Sequence, residues 1–100
     1  MPYEQAVDIG LADGVVIRYS WSGRPIVRYA VVLLVLVDDV WEEVRLFDNH
    51  LDDHHMHRYT RSQGKQPPET FHPGPTNAAI PAAIEHLKAN SEAIIESWRS

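Results

Sequence analysis

The sequence contains no cysteine. This absence excludes disulfide bonds, thiolate zinc sites and a cysteine nucleophile. Long apolar runs are also missing, since the most apolar stretch, AVVLLVLV at residues 30–37, is far shorter than the roughly 20 residues of a membrane-spanning helix. The first residues, MPYEQAVDIG, lack the basic and apolar regions of a signal peptide. These absences predict a cytoplasmic protein with no membrane association.

Basic residues are scarce, with 9 lysines and arginines against 14 acidic residues and a net charge of −5. A broad duplex-binding surface needs clustered basic side chains, so this balance argues against one. The stretch from residue 58 to residue 65 is an exception, because it contains Arg58, Arg61 and Lys65 and no acidic residue. Any binding of RNA is therefore predicted to depend on these three side chains.

One hundred residues, 44% of them apolar, are enough for a single domain with one modest core. Runs rich in β-branched, aromatic and other apolar residues predict four strands. These strands are predicted at residues 14–21, 26–37, 40–47 and 54–60. Residues 3–9 are predicted as a further strand or a short helix.

The C-terminal part of the chain is predicted as a loop followed by a helix. Residues 61–76 contain four prolines and two glycines, which indicates a loop. Residues 77–98 are predicted as one helix that begins near Asn77 or Ile80, with Pro81 in its first turn. The apolar residues of this helix recur at helical spacing and form one stripe. They are Ile80, Ala83, Ile84, Leu87, Ile94, Ile95 and Trp98.

These elements predict an α+β fold, an antiparallel meander of about four strands with one long C-terminal helix packed on one face. The strand at residues 26–37 is apolar on both faces, so we expect the second sheet face to be covered as well. A homodimer through that face or a partner protein is one way to cover it. The N-terminal segment or the proline-rich loop folding over the face is an equal alternative.

The stretch DNHLDDHHMHRYTR, residues 48–61, holds four of the six histidines. Side chains alternate along a strand, which predicts two faces for its second half. One face is predicted to carry His55, His57 and Tyr59, and the other His54, Met56 and Arg58. Neighbours on one face lie roughly 6.6 Å apart at the backbone, so the imidazoles of His55 and His57 can converge on one ligand.

A metal site is one function that this spacing allows. His55 and His57 can supply two ligands to zinc or another divalent metal, which then needs a third. His50 is one candidate for that third ligand, and the others are Asp48, Asp52, Asp53 and His72. The structural alternative is a solvated turn, which we favour for His50 and His54 taken singly.

Acid–base catalysis of RNA cleavage is a second function, and it needs no cofactor. One histidine activates the 2′-hydroxyl, another protonates the leaving 5′-oxygen, and a cation stabilises the charge that develops on phosphorus. We predict His55 and His57 as the acid–base pair and Arg58 as the residue that holds the phosphate. Tyr59 can donate to a phosphate oxygen or stack on a base.

Asp48 and Asn49 have both a structural and a functional interpretation. They can cap the turn at the end of a strand through hydrogen bonds from side chain to backbone. Asp48 can also orient the tautomer of a histidine, and the two roles are compatible. A third function for the chain is non-catalytic protein interaction through the second sheet face or the last helix.

The same residues resemble a known family. The strand end LFDNH, residues 46–50, leads into a run that ends in His-x-His, and a proline-bearing loop and an amphipathic C-terminal helix follow. This arrangement resembles the TumE family of small toxins from prokaryotic toxin–antitoxin operons. The resemblance implies a sheet-plus-helix domain, ribonuclease activity and a cognate helix-turn-helix antitoxin as partner. It also implies functional roles for Asp48, Asn49, His54, His55 and His57.

Overall fold

A computed structural model of the chain describes residues 3–50, 53–72 and 74–100. Within these residues, six strands precede one helix. The elements are β1 (Gln5–Ala12), β2 (Val15–Ser22), β3 (Arg28–Val37), β4 (Val40–Asp48), β5 (His54–Thr60), β6 (Gly64–His72) and α1 (Thr76–Arg99). Neighbouring strands are antiparallel and follow the order of the sequence. The predicted α+β class and the meander are confirmed, but the predicted number of about four strands is wrong.

The two additional strands form the edges of the sheet. β6 falls within residues 61–76, so the prediction of a loop there is wrong for most of that segment. Pro67 and Pro68 argue against a central strand because they have no N–H to donate. An edge strand tolerates them because one of its sides needs no partner strand. At the other edge, β1 shows that the N-terminal segment is a strand and not a helix.

A two-residue turn joins β3 to β4. Asp38 and Asp39 both have positive φ angles, of 50° and 64°. This conformation suits a tight hairpin because its twist matches that of the flanking strands. The predicted turn at the two aspartates is therefore confirmed.

The helix is longer than predicted. It begins at Thr76 with Pro75 as its N-cap, so Pro81 lies in the second turn and not in the first. The predicted apolar stripe is confirmed: Ile80, Ala83, Leu87, Ile94 and Trp98 are buried, and Ile84 and Ile95 pack against the core. Ala79 is buried too. No helix in the described part of the chain is long and apolar enough to cross a membrane.

The helix α1 packs on one face of the sheet, mainly against β3, β4 and β5. We call this the helix face, and it carries Val31, Leu33, Phe47 and Met56, all at most 8% exposed. The opposite side, which we call the open face, carries Leu34, Leu46, Asp48, His55 and His57. The N-terminal segment and the proline-rich segment do not fold over the open face, since they form the edge strands β1 and β6.

Candidate functional site

Strand β5 places His55 and His57 together on the open face. Their cross-strand partners on β4 are Asp48 and Leu46 respectively, which confirms the alternation predicted for these two histidines. The centroids of the two rings are 6.4 Å apart, and the ring planes are inclined at 82°. This separation allows both imidazoles to contact one small anion such as a phosphate group.

One hydrogen bond determines the tautomer of His57. Its Nδ1 lies 3.0 Å from the backbone carbonyl oxygen of Gln66 on β6. A carbonyl oxygen only accepts, so Nδ1 carries the hydrogen. In the neutral ring, Nε2 is therefore free to accept a proton, as a general base must be.

His55 lies among carboxylates. Its Nε2 is 3.9 Å from Oδ2 of Asp53, and its side chain is only 15% exposed. Asp48 lies opposite His55 on β4, and Oδ1 of Asp48 is buried without a hydrogen-bond partner among the described residues. That oxygen therefore forms no turn cap with the described residues. Its charge adds negative potential near His55 at this end of the open face.

Asn49 has a structural role. Its side chain is buried, and its Oδ1 accepts a hydrogen bond of 3.0 Å from the backbone N–H of Tyr29. Its Nδ2 donates to the carbonyl oxygen of Val27 at 2.8 Å. These two bonds hold the beginning of β3 against the end of β4, which agrees with the structural interpretation of Asn49.

His54 is separated from the histidine pair. Its Nδ1 lies 2.7 Å from the hydroxyl of Tyr29, a residue of the core. Its ring makes an edge contact with His72, with centroids 6.1 Å apart. Nδ1 of His72 accepts a hydrogen bond of 2.9 Å from the backbone N–H of Gly74. The structure therefore does not bring His54 to His55 and His57.

Arg58 is also directed away from the pair. It lies opposite Arg45 across β4 and β5, on the helix face. Its Nε donates a hydrogen bond of 2.8 Å to the carboxylate of Glu69. The structure therefore does not place Arg58 where it can hold a phosphate against His55 and His57.

Tyr59, Arg61 and Lys65 lie beyond the pair toward the end of β5. Burial first, and then the carboxylates of Glu43 and Asp48, raise the pKa of Tyr59, so its hydroxyl keeps its proton. The guanidinium of Arg61 lies over the ring of Trp98, 5.6 Å from its centroid. Lys65 is exposed and faces Tyr59 from β6. Lys65 adjoins Gln66, whose carbonyl oxygen accepts the hydrogen bond from His57. Of the two cations, Lys65 is therefore the one next to a residue that contacts the pair.

The described residues do not complete a metal site around the pair. Across residues 3–50, 53–72 and 74–100, no three histidine, aspartate or glutamate side chains form a group that could hold a metal ion. His50 is exposed and lines a different groove, together with Tyr3 and Arg28. Asp52 lies outside the described residues. Metal binding through His55, His57 and His50 therefore stays a prediction without support from the geometry.

A cleft between the helix face and α1 contains polar residues, Arg45 and His86 among them, that the sequence did not identify as functional. It has a volume of about 590 Å³, and Arg45, Arg58, His72 and His86 line it. Arg45 is 6% exposed, although an arginine on a half-exposed strand is ordinarily a surface residue. One sequence signal was available, because Arg45 lies two residues before the buried Phe47 on β4 and therefore shares its face of the sheet. His86 is exposed on α1 and lines the cleft from that side.

No curated protein and no solved structure matches the chain. A family model matches residues 3–100, which include all six strands and the helix. The chain therefore belongs to the family described as Domain of unknown function (DUF7718).

Proposed function

We propose that the open face is the site of a small metal-independent endoribonuclease with His55 and His57 as its acid–base pair. The observation that carries this proposal is the pair itself, two half-buried imidazoles on one face with centroids 6.4 Å apart. The bond from His57 to the carbonyl of Gln66 supports it further, because it leaves Nε2 of His57 available as a base.

The two histidines have distinct roles in this reaction. Nε2 of His57 takes the proton from the 2′-hydroxyl, and the 2′-oxygen forms a bond to phosphorus. The bond from phosphorus to the 5′-oxygen breaks, and protonated His55 gives its proton to that oxygen. The products are a 2′,3′-cyclic phosphate and a 5′-hydroxyl. His55 takes the role of the acid in this assignment because the bond to Gln66 leaves Nε2 of His57 as the base.

The phosphate needs a cation, and the geometry favours Lys65 over Arg58. Arg58 lies on the helix face and is bonded to Glu69. Lys65 is exposed on the strand that holds His57 in place. In the proposed enzyme, Lys65 binds the phosphate, and Arg61 binds the RNA further along the strand. The overall charge of −5 agrees with contact through such a local patch and not through a broad surface.

Control by a cognate antitoxin is part of the proposal, and it rests on the resemblance to the TumE family. A homodimer through the open face is the alternative partner at the same surface. Leu36 and Trp41 lie opposite each other across β3 and β4 and are 41% and 47% exposed. Exposed apolar side chains of this size suit either interface.

The test is expression of the chain in bacteria beside a His55→Ala/His57→Ala double variant and a His50→Ala control. His50 is a suitable control because it is an exposed histidine in a different groove. We expect growth arrest by the wild type and by the control, and normal growth with the double variant. Circular dichroism checks that the three proteins fold equally.

RNA cleavage by the purified proteins then tests the proposed reaction directly. We expect RNA fragments that end in a 2′,3′-cyclic phosphate, formed by the wild type and by His50→Ala in the presence of a metal chelator. The proposal is wrong if the double variant cleaves RNA as fast as the wild type. It is also wrong if none of the three proteins cleaves RNA or arrests growth.

A further inference from the structure

We propose that the cleft between α1 and the helix face binds a small organic anion, with a carboxylate or phosphate headgroup held by Arg45 and an apolar body held by the aromatic wall. This site lies on the opposite side of the sheet from His55 and His57. It is independent of the proposed ribonuclease activity, and neither inference depends on the other.

Among the described residues, Arg45 is a buried cation whose guanidinium has no strong hydrogen-bond acceptor, although the charge of Glu69 acts on it. Its Nε is buried and has no hydrogen-bond partner among the described residues. Its Nη1 donates to the thioether sulfur of Met56, at 3.4 Å, and sulfur is a weak acceptor. Buried charges in proteins are ordinarily paired, so a guanidinium in this state points to an anion as its ligand. The planar guanidinium matches the two oxygens of a carboxylate or phosphate.

Positive charge accumulates in the same cleft. Arg58 faces Arg45 from the neighbouring strand, an arrangement of like charges that destabilises a sheet unless an anion lies between them. The Arg58 side chain has one acidic partner, Glu69, in an ion pair whose two side chains are about half exposed. Burial first, and then the charges of Arg45 and Arg58, lower the pKa of His86 on α1. The positive charges of the two guanidinium groups therefore reach His86 in the cleft, although Arg58 forms an ion pair with Glu69.

The remaining walls determine what else the ligand carries. Phe47 and Phe71 meet edge to face with centroids 4.7 Å apart, and Met56 and Ile94 extend the apolar surface. Asn90 and Ser97 of α1 add polar groups to the lining. The volume of about 590 Å³ lies within the range of roughly 300–1,000 Å³ that is usual for small-molecule sites. This space is larger than an inorganic ion needs and suits an anion with an aromatic or aliphatic body.

Benzoate and phenyl phosphate are suitable probes, because they combine one aromatic ring with each headgroup. Each is titrated into the wild-type protein while the NMR signals of His86 and Phe71 are followed. We expect a saturable shift of both signals with at least one probe, and weaker binding of inorganic phosphate alone. The probe that binds more tightly identifies the headgroup.

Arg45→Met tests the role of the guanidinium. We expect this variant to bind the better probe at least about tenfold more weakly than the wild type, a clear difference in affinity. Arg18→Met is the matched control, because Arg18 is exposed on β2 and paired with Asp8. It is expected to bind as the wild type does. Absence of a saturable shift with both probes overturns the proposal, as does equal affinity of Arg45→Met and the wild type.

A second variant tests the cleft without touching its charges. Ala93 lines the cleft at an exposed position of α1, so Ala93→Leu is expected to fold normally and to reduce the space for the probe. Ala89→Leu is its control on the same helix, outside the cleft lining. Loss of binding in Ala93→Leu alone supports the proposed location. Equal binding by both variants places the probe elsewhere and overturns it.

Discussion

The hydroxyl of Tyr29 lies 2.7 Å from Nδ1 of His54, which joins β3 to β5 across the intervening strand β4. Tyr29 is completely buried. Burial first, and then the charge of Asp48, raise the pKa of Tyr29, so the hydroxyl keeps its proton over the whole neutral range. His54 therefore belongs to the structural framework, while the adjacent His55 belongs to the open face.

Tyr29→Phe tests this framework role of His54. The substitution removes the hydroxyl and leaves a half-buried histidine nitrogen without its partner. We expect the free energy of unfolding to fall by about 1–2 kcal/mol, measured by urea denaturation. Tyr19→Phe is the control, since the ring of Tyr19 stacks on Trp21 at 4.5 Å and survives the substitution. An equal effect of both substitutions would contradict the role assigned to the bond.

Asn49→Ala is expected to be more damaging. It removes both hydrogen bonds of a buried side chain and leaves the N–H of Tyr29 and the carbonyl of Val27 without this partner. We expect a loss of about 2–4 kcal/mol in the free energy of unfolding. Asn90→Ala removes an exposed asparagine of α1 and is expected to change stability by less than about 1 kcal/mol. Similar losses in the two variants would argue against a structural role for Asn49.

Asp39→Gly is expected to stabilise the protein. Asp39 has a φ of 64°, which glycine adopts without the steric strain that a Cβ introduces. We expect a gain of about 1 kcal/mol in the free energy of unfolding, measured by thermal and urea denaturation. The control is Asp13→Gly in the turn between β1 and β2, where the positive φ belongs to Gly14 and not to Asp13. There the same substitution only adds freedom to the unfolded chain and lowers stability.

The low pKa of His86 predicts how stability depends on pH. Because this pKa is lower in the folded protein, the unfolded chain binds the proton of His86 first as the pH falls. Stability is therefore unaffected by His86 above roughly pH 6.5, its ordinary pKa, and decreases as the pH falls from there through the folded pKa. His86→Gln is expected to reduce this decrease, measured by urea denaturation across that range.

The origin of this shift is tested by a second measurement. The charged groups that act on His86 are Arg45 on β4 and Arg58 on β5, and His72 on β6 lines the same cleft. We expect Arg45→Met to raise the pKa of His86, followed by NMR titration, because it removes one positive charge. Bound anion is expected to raise it for the same reason. An unchanged pKa in Arg45→Met would show that the charge of Arg45 does not contribute to the shift.

The central strands and the helix were predictable because their signals are local. The apolar run of β3 and the stripe of α1 depend on residues within a few positions of one another. β6 was missed because two prolines and a glycine indicate a loop until the strand is known to lie at an edge. The position in the sheet is a property of the whole chain, so no local pattern shows it.

The sequence by itself determined the α+β class and the shared face of His55 and His57, because both follow from the two periodicities of the backbone. It also determined the turn at Asp38 and Asp39, because aspartate is a residue type that favours turns. Only the tertiary structure decided what each face meets. Arg58 lies opposite Arg45 because β4 and β5 pair in one register, and Arg45 is buried because a helix distant in sequence packs over that face. Register and packing depend on contacts between residues far apart in the chain. The local sequence pattern therefore does not predict that Arg45 is buried, and the tertiary structure is needed to show it.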